Sequence, residues 1–405
     1  MPPELHELED ASGYRGHADR LWTPASEAEV VEILRDAVRQ AIPVTVAGAL
    51  TGLTGGAIPQ GGWTLSTARL KRLQVEEAHA VVGPGVLLKD LQAEAAPTGQ
   101  FYAPDPTEYT ASIGGTIATN ASGSRSFRYG DTRRHVRGLR VALMDGRVLD
   151  LRRGHRVDFP VPAIPLPRTT KHTAGFPLQP DMDWIDLFVG SEGILGVVTE
   201  ADLELLPAPE ELLGGVIFFP GDDRALDAVD QWRMVAGLRM IEYFDRGALD
   251  LTGSRPAAAE SALLIEHEVR EESDLDRWQE RIEASGALAG DCWFAFTPGD
   301  RERFRRFRHS VPERVNDTVR RNGFLKLGSD YAVPLERNRE MLAFYRSRLE
   351  REFHGNFVIF GHIGDAHVHV NILPRAQTEF DRAQDLMIEF ARHAVALGGA
   401  VSAEH

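Results

Sequence analysis

The feature that most restricts the fold of this chain is a set of three separated glycine clusters in its first half. They are Gly48-Ala49-Leu50-Thr51-Gly52-Leu53-Thr54-Gly55-Gly56, then Ser112-Ile113-Gly114-Gly115 running on to Ser122-Gly123, then Gly190-Ser191-Glu192-Gly193-Ile194-Leu195-Gly196. Glycines and small hydroxyl residues in such density cost chain entropy unless something orders them. A backbone without Cβ atoms can also close its N–H groups on an anion. Three clusters in one stretch favour one large shared ligand over three coincidental turns. None is a dinucleotide fingerprint or a Walker loop, since GxGxxG and Gly-Lys are both absent.

A chain of 405 residues is too long for one ordinary core, so two domains are expected. The net charge of -15 argues against nucleic acid, whose phosphates need a basic surface. Cys292 is the single cysteine, which rules out an internal disulfide and predicts a reducing, cytoplasmic setting. The acidic opening Met1-Pro2-Pro3-Glu4-Leu5-His6-Glu7 lacks the apolar core of a secretory signal. The longest apolar stretch, Ile42 to Pro59, is broken by glycine and threonine, so no membrane span is expected.

Ser26 to Glu29 reads as a capping box before a helix through Val38, and Pro43 to Ala47 as a short buried strand. Strands follow at Trp63 to Ser66, Ala80 to Val82, Leu139 to Met144 and Arg147 to Leu151, the last two joined by an Asp145-Gly146 turn. Arg152 to Pro167, rich in proline and charge, predicts an exposed excursion. After Pro207 the pattern is strand (Gly215 to Phe219), helix (Ala225 to Val235), strand (Ala262 to Glu268) and helix (Leu275 to Ala284). A long Arg-rich helix (Arg301 to Arg321) and two strands around His362 to His367 complete it. Alternation of this kind predicts an α+β fold whose second domain is an antiparallel sheet with helices on one face.

The second half carries its chemistry in Gly361-His362-Ile363-Gly364-Asp365-Ala366-His367-Val368-His369-Val370-Asn371 and in Ser402-Ala403-Glu404-His405. Imidazoles with a carboxylate suit a divalent metal, and a spare histidine beside them suits proton abstraction. Strand alternation puts His367, His369 and Asn371 on one face, and His362 reaches the same mouth across the turn.

Taken together and in this order, these segments resemble the vanillyl-alcohol-oxidase, or p-cresol-methylhydroxylase (PCMH), type of FAD-binding proteins. Gly-His-x-Gly-Asp and Ser-x-Glu-His are similar to the glycolate oxidase and D-lactate dehydrogenase branch of that family. The resemblance covers roughly residues 20 to 405. It implies a PCMH-type FAD-binding domain over 20–208, then an α+β, ferredoxin-like cap carrying substrate and metal over 209–405.

What it implies for the cofactor is noncovalent FAD on three segments. The first is Gly48, Ala49, Thr51, Gly52, Leu53, Thr54 and Gly55. The second is Pro104, Asp105, Thr107, Gly114, Gly115, Ala118, Thr119, Asn120, Ser122 and Gly123. The third, near the adenosine end, is Glu192, Gly193, Gly196, Val197 and Val198. The family's Arg-Gly-x-Gly-Thr-Gly opening is altered here, with Ala47 and Leu50 in place of the Arg and the second Gly.

The resemblance further implies a divalent transition metal (Zn, Mn or Fe) on His362, His369 and Glu404, with His367 aimed at the same face as an extra donor. His405 is implied as the base. Arg308, in Arg308-His309-Ser310-Val311-Pro312, is implied to grip the substrate carboxylate, with Asn371 and Lys326 in supporting roles. Lys171 also matches a family position, without an assigned role.

The implied reaction is FAD-dependent oxidation of a small 2-hydroxy acid, of the D-lactate, glycolate or D-2-hydroxyglutarate class, to the 2-oxo acid. The electron acceptor is not specified, and both a homodimer and further partner chains are compatible with the sequence. Two rival expectations remain: an oxidase of the same fold using O2, and a non-catalytic flavin-binding component of a larger dehydrogenase. Family members continue past Glu-His, so the return segment is expected to be missing and Glu404 and His405 to fray.

Overall fold

The computed structural model describes residues 6–295 and 297–404. Ser26 caps the helix Glu27–Arg39 by accepting from the Glu29 N–H at 3.2 Å, and Val30, Ile33, Leu34 and Ala37 form its buried stripe. That stripe packs on Trp63 and Leu65 of a three-stranded sheet. There the strand Trp63–Ser66 lies between Arg20–Trp22 and Val44–Ala47, parallel to both. Parallel neighbours need a crossover connection. The first glycine cluster is that crossover, so it sits at the sheet's carboxyl edge.

A five-stranded antiparallel sheet completes the first half, in the order Val148–Arg152, Val136–Ala142, Val197–Glu204, His79–Val82, Leu73–Glu76. Asp145-Gly146 does turn the hairpin, with Gly146 at φ 82. The helices Leu88–Ala95, Ile113–Thr119 and Trp184–Phe188 bury Leu88, Leu91, Ile113, Ile117, Ile185 and Phe188 against this sheet. Between Arg152 and Trp184 the chain runs without helix or strand; most of 152–167 is exposed, whereas Lys171 and Met182 are buried.

In the second half seven strands form one antiparallel sheet: Trp293–Ala295, Glu211–Phe219, Ser261–Val269, Leu238–Asp245, Phe357–Gly361, His369–Ile372, Leu327–Gly328. Helices cover both of its faces, not one as expected. The helices Asp222–Trp232, Ser273–Ala284, Asn338–Phe353 and Gln377–Ala396 lie on the side of Ile217, Phe219, Ile241 and Tyr243. Arg246–Thr252 and Pro298–Arg321 lie on the side of Val216, Phe218, Met240 and Phe244. The reason is visible in the strand Glu211–Phe219, where successive residues are buried. A strand apolar on both sides must be covered on both. Among the described residues no helix is long and apolar enough to cross a membrane.

The halves meet through buried charge. Arg125 donates to Glu266 at 2.9 and 3.2 Å and lies 3.3 Å from Asp105, while the Tyr129 hydroxyl donates to Glu268 at 2.6 Å. The segment 104–107 and the cap sheet are therefore held in fixed relation.

Candidate active site

His362 follows the strand Phe357–Gly361, and His369 opens the next strand, paired with Phe360. Gly361 (φ 124) leaves the room this needs, because a Cβ there would come within 2.8 Å of the His369 ring. Gly364 is set by packing instead, since its Cβ would meet Ile241 at 2.4 Å. The turn thereby brings His362, His367, His369 and Glu404 together, each offering a ligand atom within 4.8 Å of the others.

Two imidazoles are oriented from behind. His362 Nδ1 lies 2.5 Å from Glu242 Oε1, and His369 Nδ1 lies 3.1 Å from the Ser329 carbonyl. Each then turns Nε2 toward Glu404, at 3.1 Å for His362 and 3.7 Å for His369. Histidine metal ligands are commonly held in this way through the opposite nitrogen. His367 Nε2 lies 3.0 Å from Asp330 Oδ1, and its buried Nδ1 has no hydrogen-bond partner.

Burial and the neighbouring imidazoles push His369 well below its usual pKa, and burial lowers His367, so both are neutral donors. Burial opposes charge on His362 too, but Glu242 and Glu404 outweigh it and raise its pKa to about 9. The centre thus attracts positive charge and presents nitrogen and oxygen donors. That chemistry fits a borderline divalent ion.

Glu404 is anchored, contrary to the expected fraying. Its backbone N–H and that of Ala403 donate to Asp330 Oδ2 at 3.0 and 2.9 Å, and the Thr173 N–H donates to the Ser402 carbonyl at 3.0 Å. Its side chain accepts from Lys171 Nζ at 2.5 Å and from Ser122 Oγ at 3.2 Å. Burial opposes ionisation of Glu404, yet His362 and Lys171 hold its carboxyl well below the usual range. His405 lies outside the described residues.

The glycine clusters converge on one cleft of about 1740 Å³, open to solvent, and Glu404 stands in its wall. Gly48, Ala49, Thr51, Gly52, Leu53 and Thr54 line it from the crossover. Thr107, Gly114, Gly115, Ala118, Thr119 and Ser122 line it from the second segment, and Glu192, Gly193, Gly196 and Val198 from the third. Gly48 is required by close approach, because its Cβ would strike Ser112 Oγ at 2.3 Å. Gly52 is different: nothing of the protein lies within 4 Å of a Cβ there, so the fold itself does not require it.

Six residues of the expected set lie off the cleft lining. Asp105 turns to Arg125 and Ser124, and the Asn120 amide is taken up by Asp131 and the Arg133 N–H. Gly123 packs on the Asp105 carbonyl, Val197 belongs to the core under the first helix, Gly55 donates to Asp10 at 2.8 Å, and Pro104 is buried.

Arg308 reaches the cleft edge. Its Nε donates to Glu242 Oε2 at 2.9 Å and its Nη1 to Thr107 Oγ1 at 3.1 Å. Asn371 is 1% exposed, with neither amide atom hydrogen-bonded, on the same strand face as His369. Lys326 is exposed and precedes the strand Leu327–Gly328, which pairs with Ile372 and Asn371. Glu242 and Asp330 are not legible in the sequence as site residues. Glu242 lies far from any motif, and Asp330 follows Lys326 by four positions with no pattern that gives it a role of its own. Lys171, which matches a family position without an assigned role, proves to be the buried counter-ion of Glu404, with Asp365 at 3.4 Å.

A cleft walled by glycine loops and closed by a histidine–carboxylate cap defines an FAD-linked oxidoreductase of two parts. The FAD binding domain family matches residues 18–152, and the C-terminal domain of FAD linked oxidases matches residues 208–405. The chain belongs to the FAD-linked oxidoreductases of the PCMH type. It is 30% identical over 398 residues to the D-lactate dehydrogenase of Archaeoglobus fulgidus, spanning 94% of this chain and 81% of that protein. With the glycolate oxidase subunit GlcD of Bacillus subtilis it shares 28% identity over 413 residues, 97% of this chain and 81% of the other. The fold is that of an alkyldihydroxyacetonephosphate synthase structure, with a TM-score of 0.71 at 16% identity, over 95% of this chain and 72% of that one.

Proposed function

We propose that this protein dehydrogenates a small 2-hydroxy acid, of the D-lactate, glycolate or D-2-hydroxyglutarate class, to the 2-oxo acid, passing the electrons to FAD and then to an external acceptor. The observation that carries this reading is that Glu404, in reach of three imidazoles, stands in the wall of the FAD cleft. The names of the relatives, D-lactate dehydrogenase and glycolate oxidase, support the hydroxy-acid class.

His362, His369 and Glu404 would hold the divalent ion, with His367 within reach. The chemistry such an ion would supply there is Lewis-acid polarisation of the α-hydroxyl, and FAD in the cleft would supply a hydride acceptor. Arg308 meets the substrate carboxylate by exchanging its bond to Thr107 for one to a carboxylate oxygen, a charge-assisted and hence stronger contact. Asn371, whose amide has no other partner, orients the substrate from the sheet face, and Lys326 adds positive charge at the mouth. His405 takes the hydroxyl proton, a role that rests on its position next to Glu404 in the sequence. The products are the 2-oxo acid, reduced flavin and one proton on the base.

The test is anaerobic bleaching of the flavin absorbance by a panel of D- and L-2-hydroxy acids and glycolate. Bleaching by a D-acid or glycolate is expected, and a flavin that none of them reduces would refute the reading. The metal assignment is tested separately by elemental analysis of His369→Ala, which should lose its ion.

A further inference from the structure

The strand Leu238–Asp245 is buried along its whole length, and Glu242 sits in its middle on the face shared with Met240 and Phe244. A hydrophobic residue there would serve the core at least as well, because a buried carboxylate carries a desolvation cost that pairing only offsets. Its geometry suggests another reason for the charge. Oε1 faces His362 Nδ1 at 2.5 Å and Oε2 accepts from Arg308 Nε at 2.9 Å. Beyond those partners, His362 Nε2 points at Glu404, and Arg308 Nη1 reaches Thr107 on the FAD segment.

We propose that Glu242 is a positioning residue that joins the metal seat and the carboxylate clamp into one rigid unit. This inference rests on the roles proposed above for His362 and Arg308. A substrate bound through its hydroxyl at one and its carboxylate at the other needs their separation held, and a single carboxylate with one oxygen on each holds it. Its demand is also chemical. With Nδ1–H donated to Glu242, the nitrogen that His362 offers to an ion is Nε2, which faces Glu404 and would give up its proton when the ion binds.

Glutamine cannot replace it, because it has one acceptor and one NH2. With the NH2 toward His362, the imidazole proton moves to Nε2 and blocks ligation. With the NH2 toward Arg308, two donors face each other and the guanidinium turns from Thr107. Glu242→Asp keeps the charge but is one methylene too short to span both donors.

The experiment uses the FAD-loaded protein. Zn2+ and Mn2+ affinities are measured by competition with a chromogenic chelator, and pyruvate binding is measured by perturbation of the flavin spectrum. Glu242→Gln should lose about tenfold or more in metal affinity, in pyruvate affinity or in both. FAD affinity should stay near wild type, while the melting temperature falls because a buried charge is lost, so both affinities are read on folded, FAD-loaded protein, where a merely structural role predicts no change in them. Glu242→Asp should lose less in the same assays, and it decides the matter if the Gln variant does not fold. Both affinities within twofold of wild type would overturn the proposal. A wild-type protein that binds neither metal would refute the metal assignment instead, and the pyruvate arm would still decide Glu242.

Discussion

Lys171 Nζ lies 2.5 Å from Glu404 Oε1, with the Lys171 side chain fully buried, so a fixed cation holds the carboxylate that faces the three imidazoles. Burial opposes the ammonium, but Glu404 and Asp365 keep it charged and its pKa raised. Removing one partner of a buried pair leaves an uncompensated charge, typically at a cost of about 3–5 kcal/mol. Lys171→Met should therefore lower stability in chelator by about 3 kcal/mol, measured by urea unfolding. Added Zn2+ or Mn2+ should restore more stability to the variant than to wild type, since the ion replaces the lost cation.

Gly52 separates a fold requirement from a ligand requirement. A Cβ there meets no protein atom within 4 Å beyond its chain neighbours. Gly52→Val should leave the melting temperature of the FAD-free protein nearly unchanged and weaken FAD binding by about tenfold or more, about 1.4 kcal/mol. Fluorescence titration with FAD checks this. Unchanged affinity would place the flavin away from this loop.

Leu50 occupies left-handed backbone, with φ 57, where the resemblance expects glycine. That conformation costs a side-chain-bearing residue about 1–2 kcal/mol, whereas glycine costs about 0.5–1 kcal/mol through unfolded-chain entropy. Leu50→Gly should be neutral or stabilising by up to about 1 kcal/mol, and Leu50→Val should destabilise. Thermal melts of the two FAD-free variants decide it.

Glu352 ties the helices Asn338–Phe353 and Gln377–Ala396 through Arg382, at 2.5 and 3.1 Å. The Arg382 hydrogen bonds lower its pKa from 4.5 to about 2. The unfolded chain thus binds more protons between those values, so this contribution is complete above pH 4.5 and lost as pH falls through 2. Arg382 is 41% exposed, so screening limits the effect to about 1 kcal/mol. Glu352→Gln should be less stable than wild type by about that amount at neutral pH. The gap should close toward pH 2, as measured by denaturant unfolding across the pH range.

Much of the fold could be read from local pattern. Ser26 and the stripe of Val30, Ile33 and Leu34 announced their helix, and Asp145-Gly146 its hairpin, because capping and turn chemistry act within a few residues. The strand Leu238–Asp245 and the helices Asn338–Phe353 and Gln377–Ala396 went unread. The strand is buried on both faces and has no alternation, and the two helices set narrow buried stripes (Met341, Leu342, Tyr345 and Leu349 in one, Leu386, Met387 and Phe390 in the other) among many charged residues. Helices on both faces of the cap sheet followed from the same lack of alternation.

At the site, sequence alone determined the kinds of donor and their spacing: the glycine clusters, the histidines from 362 to 369, and Glu404. Those are properties of short segments, where residue type restricts backbone and ligand chemistry directly. Only the tertiary structure decided which side chains meet. It set Lys171 against Glu404 across 233 positions and Glu242 behind His362 across 120. It put Asp330 beneath the Ala403 and Glu404 amides and turned Asp105 and Asn120 to structural partners. A single buried charge has no sequence pattern of its own; its partner exists only once distant strands are side by side, and burial makes that partner decisive.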